Sequence, residues 1–138
     1  MKIWRILLLP VLLLALTASM TPAQAAARKK VLVDFSKEGG FAGFHDRVIV
    51  YDTFCVRLSR RTGPTVDKCL TGKEKRTLQT YLKSLKIGSS EPQPQGADFL
   101  KYTLGYKKQR ATRYTLPPSW QPVVRELEKI MQKYWAPD

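Results

Sequence analysis

Two cysteines, Cys55 and Cys69, stand symmetrically about Thr62, in the middle of Arg61-Thr62-Gly63-Pro64, whose Gly-Pro step marks a turn. The flanking runs, Phe54-Cys55-Val56-Arg57-Leu58 and Thr65-Val66-Asp67-Lys68-Cys69-Leu70, are rich in the β-branched and aromatic residues that favour strands. Folding the chain back at the turn therefore sets the two side chains opposite each other across a hairpin. A disulfide there closes a loop of about 15 residues and contributes ~3 kcal/mol in the chain-entropy description. With two cysteines the pairing is forced. The alternative, a redox or metal pair, lacks parts: 13 intervening residues do not make a C-x-x-C, and the one histidine, His45, cannot complete a zinc set.

A disulfide needs an oxidising compartment, and the N-terminus supplies a route to one. Lys2 and Arg5 precede an apolar run from Ile6 to Leu16, followed by Ala23-Gln24-Ala25, an A-x-A cleavage pattern. Residues 1–25 thus read as a signal peptide and 26–138 as a single domain, periplasmic or secreted. An uncleaved anchor fits less well, because Pro10 breaks the apolar run and leaves it shorter than the ~20 residues of a spanning helix. No transmembrane segment is then expected after cleavage. Of the 24 Lys plus Arg and 11 Asp plus Glu in the chain, the leader carries Lys2 and Arg5, so the mature part has a net charge of +11. The length of 138 residues and the 43% apolar content exclude a multi-pass membrane protein, a multidomain enzyme and a wholly disordered chain.

The elements follow from periodicity. Val31-Leu32-Val33-Asp34-Phe35 alternates as a strand with Val31, Val33 and Phe35 on one face, broken by Glu38-Gly39-Gly40. Phe41 to Asp46 is glycine-rich yet aromatic, which suits a close-packed loop. Val48 to Leu58 gives one or two strands. Thr71-Gly72-Lys73-Glu74 has the form of a capping box and opens a first helix, expected from about Gly72 to Lys86 and stopped by Gly88. Ser89 to Ala97, with its prolines, is an exposed connection. A second hairpin spans Phe99–Tyr106 and Ala111–Leu116 around Lys107-Lys108-Gln109-Arg110, and Ser119 is placed to cap a second helix whose Val123, Val124, Leu127, Ile130, Met131 and Tyr134 form one stripe. Hairpins alternating with helices predict an α+β fold, an antiparallel sheet with two helices packed on one face.

Catalytic chemistry finds no foothold. His45 and Asp46 are sequence neighbours, which on a strand point to opposite faces and so cannot act as a base and its orienter. Gly39-Gly40-Phe41-Ala42-Gly43 lacks the Lys-Ser/Thr ending of a phosphate-binding loop. No catalytic residue, metal or cofactor is expected. Basic charge is the strongest compositional signal, in four clusters: Arg28-Lys29-Lys30, Arg57 with Arg60-Arg61, Lys73 with Lys75-Arg76, and Lys107-Lys108 with Arg110. In an exported protein these fit an anionic envelope surface or an acidic partner better than nucleic acid, which is not expected.

The stretch Lys37-Glu38-Gly39-Gly40-Phe41-Ala42-Gly43, right after the first strand, resembles the signature of the emfourin family, protein inhibitors of protealysin and other thermolysin-like metalloproteases. The layout continues the likeness: Leu70-Thr71-x-x-Glu74 opening a helix, Asp98 ahead of a hairpin with Tyr102, and Leu116-Pro117-Pro118 leading into a terminal amphipathic helix. The resemblance implies a binding protein whose loop from Gly39 to Phe44, with Lys37 and Arg47 beside it, enters a zinc-protease cleft and blocks it. Gly39, Gly40, Ala42 and Gly43 would give the close backbone approach, and Phe41 or Phe44 would fill the pocket for a large apolar side chain. The leader, the cysteine pair and the strong positive charge depart from what the family leads one to expect.

Overall fold

Among the described residues, alternating apolar runs form six strands and two amphipathic stretches form helices. The computed structural model describes residues 29–135; the expected signal peptide, 1–25, lies outside them. The elements are β1 (Val31–Gly39), β2 (Phe44–Tyr51), β3 (Cys55–Ser59), β4 (Val66–Cys69), α1 (Gly72–Lys83), β5 (Leu100–Tyr106), β6 (Gln109–Arg113) and α2 (Gln121–Tyr134). One antiparallel sheet holds all six strands in the order β4-β3-β2-β1-β5-β6, so the fold is the expected α+β arrangement. The hairpin register is the one implied by the cysteines: Cys55 pairs with Cys69, and the two are disulfide-bonded. No helix of the described residues is long and apolar enough to cross a membrane.

One face of the sheet is the core. Val33 and Phe35 of β1, Val48 and Val50 of β2, Val56 and Leu58 of β3, and Leu104 of β5 are buried against Leu78 and Leu82 of α1 and the Val123, Val124, Leu127, Ile130 and Met131 stripe of α2. The capping box forms as expected, with the Glu74 amide donating to Thr71 Oγ1 at 3.2 Å and the Thr71 amide donating to Glu74 Oε1 at 2.9 Å.

Several boundaries differ from the sequence reading, each for a tertiary reason. Val31 leaves the buried face and is 55% exposed, because β1 slips register between Val31 and Val33 and Leu32 becomes an extra, bulged residue. The strand then continues to Gly39, and Phe44, His45 and Asp46 belong to β2 rather than to a loop. The first helix stops at Lys83, short of Lys86: the Ser84 and Leu85 amides bond three residues back, to Tyr81 O at 3.3 Å and Leu82 O at 3.2 Å, and the chain beyond is held by Trp120, whose indole Nε1 donates to Lys86 O at 3.0 Å and to Ile87 O at 3.2 Å. Ser119 does not cap the second helix; its hydroxyl donates to the same Lys86 carbonyl, and Trp120 stands at the N-cap with no side-chain bond to the helix amides. The second hairpin turns on Lys107 and Lys108 alone, with Gln109 and Arg110 in β6. Ser89 to Ala97 starts as an edge cover, the Glu91 amide donating to Thr112 O at 2.8 Å and the Thr112 amide to Ser90 Oγ at 3.0 Å.

The opposite face carries no helix among the described residues and is polar. At its centre Asp34 accepts from Arg47 Nε and Nη2 at 3.0 and 2.9 Å and from Arg110 Nη1 at 3.1 Å, joining β1, β2 and β6. Burial alone pushes the Asp34 carboxyl up, but the two guanidinium groups outweigh it and hold the carboxyl below its ordinary value of 3.8. A depressed folded value means that the stabilisation is fully present above the ordinary value and is lost as pH falls through the folded one. Urea denaturation of wild type and Asp34→Asn is therefore expected to show wild type more stable at neutral pH, with the two converging on acidification. Parallel curves down to the acid limb would show that the cluster adds nothing pH-dependent.

Candidate functional site

The β1–β2 hairpin closes on four residues, since Gly39 pairs with Phe44 across it. Gly39, Gly40 and Gly43 take positive φ of 82°, 74° and 64°, and the Gly43 amide donates to Gly40 O at 3.0 Å. The turn is also tied to the neighbouring strand, with the Gly40 amide donating to Phe99 O at 3.0 Å. A Cβ on Gly39 would lie 2.8 Å from Phe99 O, and one on Gly40 would lie 2.7 Å from Leu100 Cδ2. The close approach that these two glycines permit is thus met within the chain itself, which braces the root of the loop on two sides.

That bracing leaves Phe41 at the tip with 96% of its surface exposed, and Ala42 exposed beside it. Phe44, 38% exposed, flanks the tip on the helix side, with Lys37 Nζ 4.3 Å above its ring. Lys37 itself is drawn inward: its ammonium donates to Glu128 Oε1 of α2 at 3.0 Å and the side chain is 17% exposed. Arg47 lies on the opposite face, held by Asp34. Of the residues singled out from sequence, Phe41, Ala42, Gly43 and Phe44 share one surface, Gly39 and Gly40 shape it, Lys37 lies against Phe44 on the helix face, and Arg47 points to the opposite face.

Three residues join this end of the sheet that the sequence reading did not assign to it as a group. Arg61 reaches the turn, its Nη1 2.9 Å from where a Cβ on Gly43 would be. Arg60 lies 4.8 Å over the Trp135 ring and its Nε is 3.6 Å from Asp46 Oδ1, too far for a hydrogen bond. Trp135 in turn donates from Nε1 to Pro64 O at 2.9 Å, so the end of α2 is pinned to the β3–β4 turn. A shallow cleft of about 310 Å³ runs between Ala42, Phe44, Asp46, Arg60, Arg61 and Trp135. Arg61 reaches the loop through the β2–β3 pairing, where Ser59 opposite Arg47 carries residue 61 to the end of β2 beside the turn. Nothing local signalled Trp135.

The basic clusters divide in space. Arg57 turns to the open face and binds Asp67 at 2.9 Å, whereas Arg60 turns to the helix face. Arg110 is taken by Asp34, leaving Lys107 and Lys108. His45 stands 68% exposed with Nδ1 3.9 Å from Glu38 on the open face, and Asp46 lies on the other side with Arg60, as the strand alternation required. Among the described residues no group of three His, Cys, Asp or Glu side chains converges to hold a metal ion. No family model matches the chain, and no match is found among curated proteins or solved structures.

Proposed function

We propose that the chain is an exported binding protein of the emfourin type, periplasmic or secreted, that blocks the active-site cleft of a thermolysin-like metalloprotease without being turned over. The observation that carries this reading is Phe41, an aromatic side chain 96% exposed on a turn braced by β2 and by the start of β5. A free phenyl ring on a mobile loop would lose much of its binding energy to ordering, and the bracing removes that cost before binding. Burying such a ring contributes about 1.5–3 kcal/mol. Arg61 and the Arg60–Trp135 stack beside it give the tip a cationic flank.

Titration of the oxidised protein against thermolysin and a protealysin-like enzyme is expected to give stoichiometric inhibition. Phe41→Ala is expected to weaken it roughly ten- to hundredfold, in line with the loss of one buried aromatic anchor, while leaving the melting temperature unchanged. Absence of inhibition at micromolar protein overturns the reading. A second reading, a cationic module bound to an anionic envelope surface, draws on Lys75, Lys107 and Lys108, none of which is in an ion pair among the described residues. Arg60 serves it less, being engaged by Trp135. Salt separates the two, because surface attraction falls steeply with ionic strength and an apolar anchor does not.

A further inference from the structure

At the far end of β1 from Phe41, two backbone irregularities line one groove and a third adjoins it. Leu32 is the bulged residue of β1, and the bulge turns its side chain to the helix side. Phe54 holds a positive φ of 57°, a conformation that a bulky residue rarely adopts, fixed by its amide to Tyr51 O at 2.9 Å and by the Leu70 amide to its own carbonyl at 3.0 Å. Lys107 and Lys108 turn the β5–β6 hairpin with φ of 48° and 62°, where Asn-Gly is the favoured pair. Backbone held in such sparsely populated regions concentrates at ligand sites, and here Phe54 lines the groove while the Lys107–Lys108 turn follows directly on its lining residue Tyr106.

That space is a groove of about 530 Å³ between α1 and the ends of the strands, within the range of small-molecule sites. Its floor is apolar, made by Leu32, Phe54, Leu82 and Tyr106. Its rim is cationic: Arg76 and Lys83 line it, Lys75 Nζ lies 5.0 Å over the Phe54 ring, and Lys107 Nζ lies 5.3 Å over the Tyr106 ring. None of these four is paired with a carboxylate among the described residues. The acid of the adjoining turn is Asp52.

We infer that this groove binds a single-chain anionic amphiphile, its alkyl chain on the Leu32–Phe54–Leu82–Tyr106 floor and its phosphate or carboxylate head on Arg76 and Lys83. Charge complementarity selects the anion, since four cations surround the floor. The size selects a monomer over a bilayer: a groove of about 530 Å³ has room for one alkyl chain and not for a flat membrane surface. A peptide is disfavoured because β1 and β5 are each paired on both sides and offer no free backbone edge at the groove. The site lies about 25 Å from Phe41 along β1 at ~3.3 Å per residue, and the inference is independent of protease inhibition.

Dodecyl phosphate below its micelle concentration is the probe, with dodecyl maltoside and inorganic phosphate as the chain without charge and the charge without chain. Binding of dodecyl phosphate alone is expected, with amide shifts in an NMR titration centred on Leu32, Phe54, Leu82 and Tyr106. Arg76→Gln with Lys83→Gln is expected to weaken it at least about tenfold, as charge-assisted contacts do, and Lys68→Gln with Arg125→Gln, removing the same charge elsewhere, to leave it unchanged. Equal loss in both double variants, equal binding of dodecyl maltoside, shifts outside the groove, or tighter binding of an acidic peptide with one aromatic residue would each overturn the assignment. So would binding to anionic vesicles that depends on Arg76 and Lys83 more strongly than monomer binding does.

Discussion

Trp120→Ala is expected to cost the fold about 3–5 kcal/mol, the usual range for removing a large buried aromatic. The side chain has no exposed surface, and it seals the seam where the segment after α1 meets the start of α2. Its loss leaves a cavity in that seam and takes away the donor that bonds to the Lys86 and Ile87 carbonyls. Against a total stability of ~5–15 kcal/mol for a domain of this size, that is a large fraction. Trp120→Phe keeps most of the ring and loses only the N–H, and Lys86 O keeps the Ser119 hydroxyl, so its cost is expected to be smaller, on the order of 1–3 kcal/mol for the buried Ile87 carbonyl left without a donor. Urea denaturation followed by circular dichroism separates the two contributions. A loss below about 1 kcal/mol in Trp120→Ala would show that the seam is held by something else.

The second large effect is at the disulfide. Cys55→Ala with Cys69→Ala, changed together so that no lone thiol remains, is expected to lower stability by about 3 kcal/mol, because a crosslink across 14 positions removes that much loop entropy from the unfolded chain. The bond matters more here than its loop length alone suggests. β4 is a four-residue edge strand with only Val66 partly inward and the rest of its side chains exposed, so little burial holds it to β3. The double variant is expected to lose hydrogen-exchange protection first at Asp67 to Cys69, ahead of global unfolding. Uniform loss across the sheet would instead place the whole effect in the unfolded state. Because Cys55 follows Phe54 and Leu70 follows Cys69, the same bond also supports the left-handed turn at the groove.

Residues close in sequence were legible. The Cys55–Cys69 register, the Thr71–Glu74 capping box and the α2 stripe each depend on chain segments of fewer than about 20 residues, within which period and turn chemistry dominate. Residues that answer to distant partners were not. Lys37 read as a surface cation until Glu128, 91 positions away, drew it inward, and Arg47 read as part of the loop surface until Asp34 and the strand alternation put it on the other face. Ser119 satisfied the local rule for an N-cap, yet Lys86 O, 33 positions earlier, offered its hydroxyl a partner. The candidate site shows the same division: Phe41 at a glycine-framed tip was visible in the sequence, whereas Trp135 beside it was not.

The sequence by itself determined the class of fold, the hairpin that carries the disulfide, the apolar faces and the position of a glycine-rich aromatic turn, because these follow from local periodicity, turn residues and cysteine symmetry. Only the tertiary structure decided which cations remain available, where the helices stop, that Phe41 stands exposed, and that a bulge at Leu32 and a left-handed Phe54 line one groove beside the Lys107–Lys108 turn. The physical reason is that burial and charge pairing depend on neighbours brought together by the sheet order β4-β3-β2-β1-β5-β6, which sets β1 beside β5 across the whole of the intervening chain from residue 40 to residue 99.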